Sequence, residues 1–362
     1  GAVGKRQPAL EGLGLSFWRN RRVLLTGHTG FKGSWLCLWL ERVGASVTGL
    51  ALPPHTDPNL FTLLSPWPAL DHRVADITAA APTAQLVAES NAEVLIHLAA
   101  QALVPAGHRD PVGTFAANVM GTVHVLQGAL ALPTLKAALV VTTDKVYANP
   151  DSGRPFDETD PLGGTEPYSS SKAAAEFAVD AYRATYAAKN IGLGTARAGN
   201  VIGGGDWSAD RLVPDLVRAL WSGQPAILRN PESVRPWQHV LDPLAGYLRY
   251  AERLAQAPES VPPALNFAPS DESTRRVIDV VDRFAARFND HPGWQPAGTP
   301  SYREAAILRL SAAKARASLG WRPRLGFDAA VAWTTDWHAA HRHGESMRNF
   351  SLAQLARYES LG

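Results

Sequence analysis

The chain is predicted to be a doubly wound α/β protein, with a parallel sheet and a smaller, interleaved C-terminal lobe. Three observations predict it. Short apolar runs alternate with helical patterns from Arg21 to Gly199, a glycine-rich turn joins the first run to the first helix, and the texture changes after Gly199. The runs are Val23-Leu24-Leu25, Ser46-Val47-Thr48-Gly49-Leu50, Arg73-Val74-Ala75, Val94-Leu95-Ile96-His97-Leu98, Leu139-Val140-Val141 and Gly192-Leu193-Gly194-Thr195-Ala196. Strands so short and so continuously apolar read as buried on both faces, the condition of a parallel sheet covered by helices.

The first helix carries Trp35, Leu36, Trp39, Leu40 and Val43 at helical spacing, which predicts one apolar stripe with core tryptophans and a stop at Gly44. The sheet-bearing domain is placed at 17–200. Beyond it come Gly203-Gly204-Gly205 and then Pro214, Pro225, Pro231 and Pro236 among several arginines. This stretch predicts a substrate lobe over 201–239 and 269–358, closing on the sheet's carboxyl edge. Ala264-Leu265-Asn266-Phe267 is expected to rejoin the first domain as a further strand, within a return near 240–268. Leu352, Leu355 and Tyr358 predict a small docked helix at the end. There are no internal repeats.

Composition excludes several classes of function. At about 100–200 residues per domain, 362 residues suggest two packed lobes with a sizeable core. Apolar residues at 46% and charged residues at 19% describe an ordinary globular chain. A net charge of +2, with Arg19-Asn20-Arg21-Arg22 as the longest basic run, gives no ground for a nucleic-acid partner. No apolar run reaches the roughly 18–20 residues that span a bilayer, so no membrane association is expected. One cysteine, Cys37, allows no intrachain disulfide and fits a reducing cytoplasm, where it should fill an apolar helix face. The polar start at 1–14 lacks the apolar core of a signal peptide and reads as a frayed tail.

The turn Gly27-His28-Thr29-Gly30-Phe31-Lys32-Gly33 lies where the first strand meets the first helix. Glycines there allow a tight turn, close approach of backbone to a pyrophosphate and close packing of helix on strand, while the helix N-terminus offers free N–H groups. This predicts a dinucleotide site. The Gly-x-x-Gly-x-x-Gly spacing resembles that of the extended short-chain dehydrogenases/reductases, a Rossmann-fold family. That resemblance implies cofactor contacts at Asp76 and Ile77 after the third strand, at Ala99, Ala100 and Gln101 after the fourth, and at Asn118 and Thr142. Asp76 can also be read as a plain turn residue, and His97 as a packed core histidine. Leu50-Ala51-Leu52-Pro53-Pro54 offers neither an acid for a ribose hydroxyl nor an arginine for a 2′-phosphate; with nothing to neutralise that phosphate, NAD is preferred.

Tyr168 and Lys172 are four residues apart at the start of a helical stretch and share one face. A neighbouring ammonium and a cationic nicotinamide ring would favour the phenolate, bringing a group with a pKa near 10 into use as a base. The fifth strand ends in Thr142-Thr143-Asp144-Lys145, at the edge where open α/β sheets place ligands. Thr143 matches the family's substrate-orienting residue.

Together, 26–35, 142–145, Arg197-Ala198-Gly199-Asn200-Val201-Ile202-Gly203-Gly204-Gly205-Asp206-Trp207 and Arg235-Pro236-Trp237-Gln238-His239-Val240 resemble the CDP-glucose 4,6-dehydratases of that family. The resemblance runs over about 17–358 and implies a lyase acting on a nucleotide sugar. Tyr168 would deprotonate the C4 hydroxyl as hydride leaves C4, a base would act at C5, and an acid would expel the C6 hydroxyl. Asp144 is then the acid, and Lys145 either the base or an electrostatic partner of Asp144. Asn200, Arg211 and Arg235 would hold the diphosphate, with Trp237 and His239 shaping the nucleotide pocket. A homodimer paired through helices at 111–130 and 169–187 is also implied, and no metal is expected.

Two stretches depart from that pattern. Where the family has Arg-x-Ser-Tyr, this chain reads Pro105-Ala106-Gly107-His108, and the loop 148–160 is shorter and poorer in aromatics. The same chemistry on another CDP-sugar or a nucleoside-type substrate therefore stays open. C4 epimerisation or keto-reduction is opposed by Asp144-Lys145, and a non-catalytic NAD-binding scaffold by the full Thr, Tyr and Lys set.

Overall fold

The computed structural model describes residues 15–288, 293–297 and 307–361, so the start at 1–14 lies outside them. The apolar runs become strands β1 (Arg22–Thr26), β2 (Ser46–Ala51), β3 (Leu70–Val74), β4 (Val94–His97), β5 (Ala137–Val141) and β6 (Gly192–Arg197), and Ala264–Asn266 adds β7. All pair in parallel, in the order β3-β2-β1-β4-β5-β6-β7. Alternation along β1 sends Leu24 to one face and Val23 and Leu25 to the other, which divides the apolar core into two clusters.

One expectation fails at β3. The strand begins three residues before the predicted run, and its end is exposed, with Val74 56% accessible. It is the sheet's edge, paired on one side only, so the two-sided burial that marks the inner strands does not apply to it. A second correction concerns α1 (Phe31–Arg42). Every residue from Gly33 to Leu40 is buried, so the helix is apolar all round rather than along one stripe. Helices α7 (Phe327–Arg342) and α8 (Met347–Ser360) explain this, because the C-terminal segment covers the outer side that would otherwise meet water. Trp39 donates its indole N–H to Glu359 of α8 at 3.0 Å, and Arg42 pairs with the same carboxylate at 2.8 Å. Cys37 lies in this packing, and burial pushes its thiol well up.

On the sheet's other face lie α2 (Ala80–Ser90), α3 (Gly121–Leu130) and α4 (Pro167–Thr185). Helix α4 starts on a capping box in which Glu166 accepts from the N–H groups of Tyr168 and Ser169. Past β6, three two-stranded ribbons build a smaller layer beside the sheet's carboxyl edge. They join Val201–Ile202 to Gln238–His239, Val234–Pro236 to Thr274–Arg276, and Ala226–Leu228 to Trp294–Pro296. Helices α5 (Leu212–Ser222) and α6 (Leu241–Gln256) flank them, and α6 packs back onto β5 and β6. No described helix is long and apolar enough to cross a membrane.

A buried ion pair ties these layers together. Glu176 of α4 accepts two bonds from Arg197 at the end of β6, at 2.9 and 2.8 Å, and one each from Thr142 and Thr195. Arg197 also donates to the Tyr147 hydroxyl, which donates in turn to Asn266 of β7. Arg197→Met would strand the Glu176 charge and should cost about 3–5 kcal/mol by urea denaturation. Arg197→Met with Glu176→Met should cost clearly less than the single change.

Candidate active site

The strand order reverses between β1 and β4, and there a cleft of about 530 Å³ opens at the carboxyl ends of the strands. Gly27 begins the turn at φ +75°, and a Cβ on it would lie 2.7 Å from the Ala99 nitrogen. A Cβ on Gly33 would lie 2.0 Å from the Gly27 oxygen, so both positions need glycine. Gly30 caps α1 without a side-chain bond, which leaves the helix's first N–H groups facing the cleft. The fit to a dinucleotide's pyrophosphate rests on that cradle.

Of the predicted cofactor residues, Gly27, Thr29, Gly30, Phe31, Lys32, Gly33, Asp76, Ile77, Ala99, Ala100, Gln101, Thr142, Tyr168 and Lys172 all line this cleft. Asp76 lines the cleft, and its carboxylate also accepts from the Thr78 N–H in the turn. Asn118 is different: it is buried behind the wall, bonding both backbone groups of Gln101 and the Ser171 hydroxyl. It orients the segment rather than lining the cleft. His97 is a core residue between the Thr26 and Thr122 hydroxyls, and burial and Lys172 push it down to about 3. Leu52, Pro53 and His55 close the far end, a lining of types that carry no sequence signal.

A second pocket, of about 290 Å³, adjoins the first, and Lys32, Thr143, Tyr168 and Arg211 line both. Asp144, Lys145, Asn200, Arg235 and Trp237 complete its predicted members. His239 does not line it. Its ring lies beneath, 5.7 Å from that of Trp333, held down to about 3 by burial. Pro105 forms part of this pocket's wall, while Gly107 packs against Tyr168 so closely that a Cβ would come within 3.2 Å of its nitrogen. Arg211 pairs with Asp206 at 3.0 Å, a partner not foreseen from sequence.

The charges at the junction are buried, and burial sets their chemistry. Asp144 accepts from the Thr143 hydroxyl at 3.0 Å through Oδ1, while Oδ2 is sealed from solvent without a partner. Burial raises its carboxyl above the usual range, against the opposing pull of Lys145, the Thr143 hydroxyl, Arg235 and Lys32. The carboxyl has room because residue 199 is glycine, where a Cβ would lie 1.7 Å from Oδ2. Lys32 reaches this junction from α1, pushed down to about 8 by burial, with Arg211 adding to the effect.

Tyr168 departs from the expected behaviour. Without ligands, burial pushes it up to about 12, and the groups that favour its phenolate are the Thr143 hydroxyl and Arg211 rather than Lys172. Lys172 donates to the Val141 carbonyl at 3.2 Å and is itself pushed down to about 8 by burial, although Glu176 supports its charge. The Glu176–Arg197 pair behind it was missed, though two charged residues among apolar positions of a helix and a strand were the available signal.

Residues 23–262 match the model of the NAD dependent epimerase/dehydratase family. A CDP-glucose 4,6-dehydratase of Salmonella typhimurium is 40% identical, covering 95% of this chain and 98% of its own length. A dTDP-glucose 4,6-dehydratase of Xanthomonas campestris pv. campestris is 28% identical over 88% of this chain and 93% of its own. Among solved structures, an epimerase of Methanothermobacter thermautotrophicus superposes with a TM-score of 0.82 at 20% identity, covering 95% and 99% of the two chains.

Gly33→Ala should abolish NAD binding in a titration while the chain stays folded by circular dichroism. Unchanged affinity would show that the cradle is not the cofactor site.

Proposed function

The chain belongs to the NAD dependent epimerase/dehydratase family, and we propose that it is a 4,6-dehydratase converting CDP-glucose to CDP-4-keto-6-deoxyglucose. The observation that carries this reading is that the buried Thr143 and Asp144 and the half-buried Lys145 line one pocket together with Tyr168. The cleft lined by Gly27, Gly30, Gly33, Tyr168 and Lys172 would hold NAD, which would supply reversible hydride acceptance for oxidation at C4 and reduction at C6.

The chain's own residues handle protons and position. Tyr168 takes the C4 hydroxyl proton, and Thr143 orients that hydroxyl. The resulting ketone acidifies the C5 hydrogen, which Lys145 removes from the same pocket. Asp144 protonates the departing C6 hydroxyl, a task favoured by the burial that raises its carboxyl above the usual range. Asn200, Arg211 and Arg235 line the side of the pocket that would receive the diphosphate, where guanidinium forks match phosphate oxygens. The same chemistry on a different CDP-linked sugar is the second reading, and it is favoured by Pro105, which lines the wall where the family has a cation.

We further propose a cytoplasmic homodimer. The short helix Pro111–Phe115, the turn Ala116–Met120 and α4 adjoin, and they expose Val112 (80%), Phe115 (40%), Met120 (48%) and Phe177 (59%). Apolar side chains that exposed and that close together mark an interaction surface.

Incubation with NAD and CDP-glucose should yield a product lighter by one water. Asp144→Asn should keep NAD affinity and lose about 10²–10⁴-fold in kcat. No product from wild-type protein with NAD bound would transfer the assignment to another sugar. Phe177→Glu with Phe115→Glu should sediment as monomer where the parent chain sediments as dimer.

A further inference from the structure

The dehydration sequence leaves a proton imbalance within the protein. Tyr168 gains the C4 hydroxyl proton. Lys145 gains the C5 proton and returns it to C5 when hydride arrives at C6. Asp144 loses its proton to the C6 hydroxyl as the C6–O bond breaks, and that proton departs in the water formed. At the end of one turnover, Tyr168 carries one proton more than at the start and Asp144 one fewer. Resetting the protein takes one proton off Tyr168 and puts one on Asp144, a net transfer that a direct path between them would complete without solvent.

The structure restricts where Asp144 can collect it. Oδ2 is sealed from solvent and has no hydrogen-bond partner among the described residues, and a Cβ placed on Gly199 would overlap it, so it abuts backbone. Oδ1 accepts from one side chain, Thr143, at 3.0 Å. The Thr143 hydroxyl, which lines the pocket with Tyr168, also favours the Tyr168 phenolate, and the Lys145 N–H holds it in place at 3.3 Å. Tyr168, Thr143 and Asp144 line one pocket. A hydroxyl both donates and accepts, so it can take a proton on one side while releasing its own on the other.

We propose that the Thr143 hydroxyl returns one proton from Tyr168 to Asp144 in every turnover, an inference that rests on the dehydratase reading. The Tyr168 O–H bond breaks as a new bond forms at Thr143 Oγ1, and the original Thr143 proton passes to Asp144 Oδ1. No outside acid or base is consumed. Arg211 biases the exchange by favouring the phenolate. Thr143 is thus a proton conductor as well as a contact for the sugar.

Two measurements test this on the full chain, with Thr143→Val, which keeps the shape without the hydroxyl, and Thr143→Ser, which keeps the hydroxyl. In rapid-quench turnover of CDP-glucose with NAD, the ratio of first-turnover to steady-state rate should rise at least about ten-fold over wild type in Thr143→Val. It should return to the wild-type ratio in Thr143→Ser. A ratio unchanged in Thr143→Val, however far both rates fall, overturns the proposal and leaves Thr143 with orientation alone. In the protein without substrate, the infrared carboxyl band of Asp144, identified by difference from Asp144→Asn, should shift in Thr143→Val and recover in Thr143→Ser. A band that does not move breaks the chain at Thr143. If wild-type protein forms no product from CDP-glucose, the sugar assignment fails, and the infrared comparison, which needs no substrate, still decides whether Thr143 couples to Asp144.

Discussion

The arrangement of the active centre depends on the buried pair between Glu176 and Arg197. Both charges are withdrawn from water, a change tolerated only when nearly every lone pair and N–H finds a partner. Here Thr142, Thr195, Tyr147 and Asn266 supply them, and burial's tendency to raise the Glu176 carboxyl is overcome, chiefly by Arg197. The pair joins α4 to the ends of β5, β6 and β7. Tyr168 and Lys172 lie two turns and one turn, respectively, before Glu176 on α4, and Thr143 follows Thr142 directly. One interaction therefore sets the spacing between the helix that carries the tyrosine and the strand end that carries the threonine and aspartate.

Low polarity then governs what each group can do. Asp144 is raised, Lys32 and Lys172 are lowered to about 8, and Tyr168 is raised to about 12, each chiefly by loss of water. The same burial that raises the acid's hold on its proton makes the base reluctant. A bound cationic cofactor would relieve the second effect without disturbing the first, because Tyr168 lines the cofactor cleft and Asp144 does not. Residue size completes the separation, since Asp144 can withdraw into the wall only because residue 199 has no side chain.

The departure at 105–108 acquires a meaning from this geometry. The segment belongs to a short helix, Val104–Arg109, that walls both pockets near Tyr168. Gly107 admits the close approach to Tyr168, and Pro105 contributes an apolar contact to the substrate side. Arg211 and Arg235, the arginines proposed for the diphosphate, line the same pocket. Differences in substrate choice would therefore be expressed at the hexose rather than at the diphosphate.

Local chemistry made much of this readable in advance. The turn from Gly27 to Gly33, the inner strands, the return of Ala264–Asn266 and the Tyr168-Lys172 spacing are each dictated by short-range sterics or by the period of one element, so the sequence alone determined them. What it left undecided depends on neighbours distant in the chain. Strand β3 escaped the burial rule because nothing pairs on its outer side, and α1 lost its polar face because α7 and α8, some 300 residues away, cover it. Asn118 and His239 carry suitable chemistry but are held behind or beneath the walls they were expected to form. Only the tertiary structure settled the ionisation of Tyr168, Asp144 and Lys32, because a pKa shift follows from the water excluded around a group, and that exclusion is the work of the whole fold.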